Sequence, residues 1–249
     1  MFALLFTGRS CARPAHLLVR RLIRLACLPV VLAVCVLACP IQPATAASAD
    51  SRDVADWTAR AFAAYEAGEV EEAQRLYLLA ANAGDAIAGY NAAVIRLEDE
   101  SNSPSEEEAV RYLQQSAQAG FVLAQHMLGT LYERGQFVPA SQALALKWFL
   151  RAAEQGDAQA QLALATQYFL GRGAPLDYAE AARWYERAAE AGDADAQYIL
   201  ASMYEKGTGV ALDLERALTW YSAAARQGDV VAELKAREVV QRLAADRGR

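Results

Sequence analysis

Cysteine is absent beyond residue 39: all four in the 249-residue chain, Cys11, Cys27, Cys35 and Cys39, stand in its opening stretch. The remainder therefore has neither a disulfide framework nor a thiolate metal site. Histidine is nearly as scarce. Past residue 46 only His126 remains, so neither a His-x-x-x-His pair nor a His-Glu-x-x-His helix exists to hold zinc. That part of the chain also lacks a Gly-x-Ser-x-Gly elbow and a Ser-x-x-Lys pair, which removes those two acyl-transfer signatures. Gly171-Arg172-Gly173 and Gly207-Thr208-Gly209 are too short for a phosphate loop and follow no strand. No cofactor is expected. Acids, in turn, are missing from residues 1–46, which carry Arg9, Arg13, Arg20, Arg21 and Arg24. The rest holds 19 basic against 30 acidic groups, a net of −11. A body of that sign does not grip nucleic acid, which needs clustered positive charge.

The charge split marks an export signal over residues 1–46. Arg20-Arg21-Leu22-Ile23-Arg24 reads as a positive n-region, and the 14 apolar residues from Leu25 to Ala38 follow directly. That run is short for a spanning helix and is interrupted by Pro29. Ala44-Thr45-Ala46 and Ala47-Ser48-Ala49 offer small-residue cleavage frames. The expectation is a periplasmic or secreted protein that is not membrane-inserted after cleavage. An uncleaved signal anchor and a lipoprotein acylated at Cys39 are the alternatives.

What fills residues 47–249 is a repeat of 36 residues. Glycine recurs at Gly84, Gly120, Gly156, Gly192 and Gly228. Alanine recurs in three further columns, for example Ala73, Ala109, Ala145, Ala181 and Ala217. Self-similarity of this length means a solenoid of stacked units. Each unit resolves into two helices. In the second, aromatic pairs such as Trp148-Phe149, Trp184-Tyr185 and Trp220-Tyr221 follow the alanine at helical spacing. Ser105, Ser141, Asp177 and Asp213 precede these helices as N-caps, and Glu108 and Glu180 sit where a capping box places its acid. First helices start near Asp85, Phe121, Asp157 and Asp193, and the later ones end at Gly135, Gly171 and Gly207. The units are expected at about 54–84, 85–120, 121–156, 157–192 and 193–228, with a capping helix at about 230–243. The acidic run from Glu98-Asp99-Glu100 to Glu106-Glu107-Glu108 lacks the spacing of a calcium loop and suits a helix N-terminus.

The run Ala-x-Ala-Gln-Tyr-x-Leu-Ala-x-x-Tyr-x-x-Gly-x-Gly-Val from Ala194 to Val210 resembles the Sel-one-like repeat, a relative of the tetratricopeptide repeat. So does Asp-x-x-x-Ala-x-x-Trp-Tyr-x-x-Ala-Ala-x-Gln-Gly-Asp from Asp213 to Asp229. The resemblance implies an all-α, right-handed α-solenoid with a concave face lined by the first helices. It also implies an adaptor or regulator that binds a protein or peptide, such as an envelope sensor or assembly. Cysteine-rich relatives of this repeat have been associated with β-lactamase activity, so an envelope enzyme acting on cell-wall material is the alternative. Past residue 39 the chain has no cysteine to match them.

The inward register of the first helices then supplies the candidate partner-binding residues. One column is Tyr90, His126, Leu162 and Tyr198; its neighbour contains Thr130, Thr166 and Ser202. Glu133, Arg134, Phe169, Glu205 and Lys206 complete the strip at the helix ends. Aromatics with interspersed charge are what a peptide-binding surface uses.

Overall fold

The computed structural model describes residues 50–98 and 105–247. The export signal, the loop Ser101–Pro104 and the expected Ser105 cap lie outside the described residues or side chains. Among the described residues there are eleven helices and no strand. The first unit consists of α1 (Ser51–Glu66) and α2 (Val70–Asn82), and the second of α3 (Ala86–Glu98) and α4 (Ser105–Gln118). The third pairs α5 (Val122–Arg134) with α6 (Gln142–Glu154), and the fourth α7 (Ala158–Leu170) with α8 (Tyr178–Glu190). The fifth joins α9 (Ala194–Lys206) to α10 (Leu214–Arg226). The closing helix, α11 (Val230–Arg247), runs four residues past its expected end at 243. Each helix packs chiefly on its neighbours in sequence, the contact pattern of an α-solenoid.

Short polar side chains start these helices. Asp85, Asp157 and Asp193 accept from backbone N–H groups of α3, α7 and α9 at 3.0, 2.6 and 2.8 Å. Ser141, Asp177 and Asp213 do the same for α6, α8 and α10. Phe121 starts α5 without a side-chain cap. The capping box at Asp177 forms only by half: Glu180 donates its backbone N–H to Asp177, while its carboxylate binds Trp184 Nε1 at 2.9 Å. The glycine column ends every second helix with φ between 92° and 97°, a conformation costly for any other residue.

The alanine columns are the places where helices approach. Ala73, Ala109, Ala145, Ala181 and Ala217 are fully buried, as are Ala88, Ala124, Ala160, Ala196 and Ala232. Phe149, Tyr185 and Tyr221 fill the space beside them and are buried too. On α11 the side chains Val230, Val231, Leu234 and Val240 are exposed, since among the described residues no second helix covers that face. No described helix is long and apolar enough to cross a membrane.

Candidate functional site

The 36-residue register sets the candidate column across α3, α5, α7 and α9. Tyr90, His126, Leu162 and Tyr198 are all half-buried. The inner part of each packs locally. Tyr198 leans on Tyr221 of its own unit with ring centroids 5.4 Å apart, and His126 lies 6.0 Å from Phe149. Tyr90 meets Phe121, at the start of the next unit, edge-on at 5.3 Å. In the neighbouring column Thr130 and Thr166 return their hydroxyls to the carbonyls of His126 and Leu162, and Thr166 also meets the Tyr185 hydroxyl at 3.1 Å. Ser202 is half-buried.

Some helix-end residues form joints, and others are exposed. Glu133 accepts from Gln167 Nε2 at 2.7 Å, tying α5 to α7. Glu205 accepts from the Tyr221 hydroxyl at 2.9 Å and from Arg242 at 2.7 Å, joining α9 to α10 and α11. Burial and the adjacent Glu205 carboxylate push the Tyr221 hydroxyl pKa up, so it stays a donor. Both acids therefore hold units together as well as bordering the strip. Phe169, at the same register, is half-buried with its ring edge-on to Tyr178 at 5.1 Å. Arg134 and Lys206 are exposed.

His126 is the titratable member of the strip. Its Nδ1 lies 3.5 Å from Asp157 Oδ1, the carboxylate that also caps α7. Burial lowers the imidazole pKa below its ordinary 6.5, and the opposing pull of Asp157 and Glu133 is the smaller effect. The neutral ring is thus the resting form at neutral pH. Among the described residues no group of three or more His, Cys, Asp or Glu is placed to hold a metal ion.

Two features escaped the sequence reading. The first is a glutamine ladder. Gln125, Gln161 and Gln197 are buried and donate Nε2 to the carbonyls of Ala117, Ala153 and Ala189 at 3.0, 3.2 and 3.0 Å. Gln155 and Gln227 then donate to Oε1 of Gln125 and Gln197 at 2.8 and 2.9 Å. The signal was present in the Ala-x-Ala-Gln motif, but polarity alone does not say that the side chain turns inward. The second is Phe137. It stands where Gly173 and Gly209 stand in later units and holds φ at 61°, the one positive value outside glycine among the described residues. The glycines are needed there because a Cβ would come within 2.3 Å of the Gln142 carbonyl or 2.2 Å of the Tyr178 carbonyl. An exposed aromatic ring replaces them in the third unit.

The repeat geometry agrees with known proteins. The Sel1 repeat model matches residues 63–85, 101–121, 122–157, 158–193 and 194–229. A Sel1 repeat protein from Oxalobacter formigenes is 31% identical with a TM-score of 0.63; the match covers 68% of this chain and 49% of that one. A protective antigen of uropathogenic Escherichia coli displaying an SLR fold is also 31% identical, with a TM-score of 0.61, over 64% of this chain and 34% of that one. This chain therefore spans between a third and a half of the length of those two relatives. Among curated proteins none matches. With its repeat model covering more than half of the residues, the chain belongs to the Sel1 repeat family.

Proposed function

We propose that this protein is an exported interaction scaffold that holds a partner polypeptide along the strip formed by its first helices. Sel1 repeat proteins are in general protein-interaction scaffolds, which is the coarser part of this reading. The observation that carries the finer part is the row itself. Four successive first helices present Tyr90, His126, Leu162 and Tyr198 at one register, half-buried, with Phe169 beside them and the cations Arg134 and Lys206 at the edge. Half-buried rings held by a rigid scaffold lose little conformational entropy on binding and serve as anchors. The excess of eleven negative charges over residues 47–249 steers a basic partner segment, so binding should weaken with salt.

The test is capture of a partner from envelope extract, repeated with Tyr198→Ala, Phe169→Ala and Arg187→Ala at matched helicity by circular dichroism. Arg187 belongs to a second helix and lies over the Trp184 ring, 4.5 Å from its centroid. The strip variants should lose the partner and Arg187→Ala should keep it; the opposite pattern refutes the strip. Export is tested by mass spectrometry of the protein from its native envelope, with an N-terminus expected at Ala47 or Asp50.

A further inference from the structure

The glutamine ladder stops at the second unit. There Gly89 stands at the register of Gln125, and Ala119 at that of Gln155. Among the described residues nothing closes the gap: a cleft of about 340 Å³ opens there, bordered by Ala81, Gly89, Ala119 and Ser116. Ala81 is the residue whose carbonyl corresponds to that of Ala117, the acceptor of the Gln125 amide. The missing group is therefore known in kind from the chain's own later repeats. It is a primary carboxamide on an unbranched stem.

The walls are polar and fixed. Ser116 replaces an alanine of the later units, is 2% exposed, and donates to the Ala86 carbonyl at 2.6 Å. The Tyr112 hydroxyl donates to Asn82 Oδ1 at 3.0 Å, holding that carboxamide at the cleft wall. The floor admits a Cβ. A Cβ built on Gly89 would meet Tyr112 O at 3.5 Å, Ser116 Cβ at 3.6 Å and Ala81 Cβ at 3.9 Å, all ordinary contacts.

The geometry points to this cleft as a binding site for the side-chain carboxamide of a glutamine supplied by a partner polypeptide. The incoming amide donates to the Ala81 carbonyl, as Gln125 donates to Ala117 one unit later. A glutamate is excluded on the same grounds. Its carboxylate has no hydrogen to offer that carbonyl, and it would approach Asp85, whose own carboxylate already caps α3 and accepts from Thr58 at 2.8 Å. The inference rests on the reading that the chain binds a polypeptide, but not on the strip, of which only Tyr90 belongs to the unit that holds the cleft.

The experiment is an NMR titration of the full chain with N-acetyl-Ala-Gln-Ala-methylamide and with its Glu counterpart. The Gln peptide should shift the backbone amides of Gly84, Gly89, Ser116 and Ala119 saturably, and the Glu peptide should bind at least tenfold more weakly. The double substitution Gly89→Gln with Ala119→Gln rebuilds the ladder; it should abolish the response and raise the thermal midpoint. If that double variant does not fold, Gly89→Gln alone fills the floor and should also block the peptide. Tyr198→Ala should leave the peptide response unchanged, so that failure of the cleft and failure of the strip are read separately. Absence of saturable shifts with the Gln peptide, or an undiminished response in the ladder variant, overturns the proposal.

Discussion

Ala191 holds, opposite Gln161 in the repeat register, the position from which Gln155 binds Gln125 and Gln227 binds Gln197. In consequence Gln161 Oε1 is buried with no hydrogen-bond partner among the described residues, although its Nε2 binds Ala153. An acceptor left so costs about 1–3 kcal/mol. The backbone at Ala191, with φ −72°, is close to that of Gln155 and Gln227, with φ −86° and −90°. Ala191→Gln should therefore complete the rung and stabilise the fold by about 1 kcal/mol, after the entropy of ordering one side chain is subtracted. Urea unfolding checks this; a midpoint equal to or below that of the parent would mean the rung does not form.

Gly129 provides the opposite case. It occupies the middle of α5 in a register where Ala93, Ala165 and Ala201 stand, so helix propensity alone favours alanine by about 1 kcal/mol. Yet a Cβ there would lie 2.7 Å from two ring carbons of Phe149, which is itself only 1% exposed. Overpacking of a closed core costs about 1–3 kcal/mol. Gly129→Ala should lower the unfolding free energy in spite of its better propensity. A gain in stability would show that the Phe149 ring moves aside freely.

These two residues also show where the sequence was sufficient. Periodicity placed the helices, because a 36-residue repeat with glycine at every second-helix end leaves little choice of boundary. Asp177 and Asp213 were legible as caps for the same reason. What periodicity does not reveal is a departure inside a column. Gly129 reads as one more small residue until the Phe149 ring is seen against it. Gln161 reads as a surface polar residue until its amide is found under Ala153. The α11 extension to Arg247 is not legible either, since apolar patterning ends that helix at 243. The strip residues were legible as a register, whereas the engagement of Glu133 and Glu205 in unit joints was not, since their partners lie 34 and 37 residues away.

Trp184 measures how much one ring contributes. It is 7% exposed, packs between the alanine columns, donates Nε1 to Glu180 and carries Arg187 over its face. Trp184→Ala should cost about 3–5 kcal/mol through the cavity it leaves. Because solenoid contacts reach mainly to adjacent units, the loss should also broaden the unfolding transition. A cost below about 1 kcal/mol would contradict the burial of this ring.

His126 gives the fold a dependence on mild acid, with a sign set by burial. Its pKa in the folded chain lies below the ordinary 6.5 because losing water disfavours the imidazolium more than Asp157 and Glu133 favour it. The unfolded chain then takes up the proton at higher pH than the folded one. Stability is fully present above about pH 6.5, falls as pH drops from there toward the folded pKa, and levels once the folded ring is protonated too. Each unit of lowering corresponds to about 1.4 kcal/mol across that window. His126→Gln should remove this slope, leaving only the carboxylate titrations at lower pH. Asp157→Asn keeps an acceptor to cap α7 but removes the nearest negative charge, so it should lower the His126 midpoint further. Following the His126 ring protons by NMR as pH is varied reads both effects directly. A folded midpoint at or above 6.5, or an upward movement on Asp157→Asn, would show that the carboxylates and not burial govern this ring.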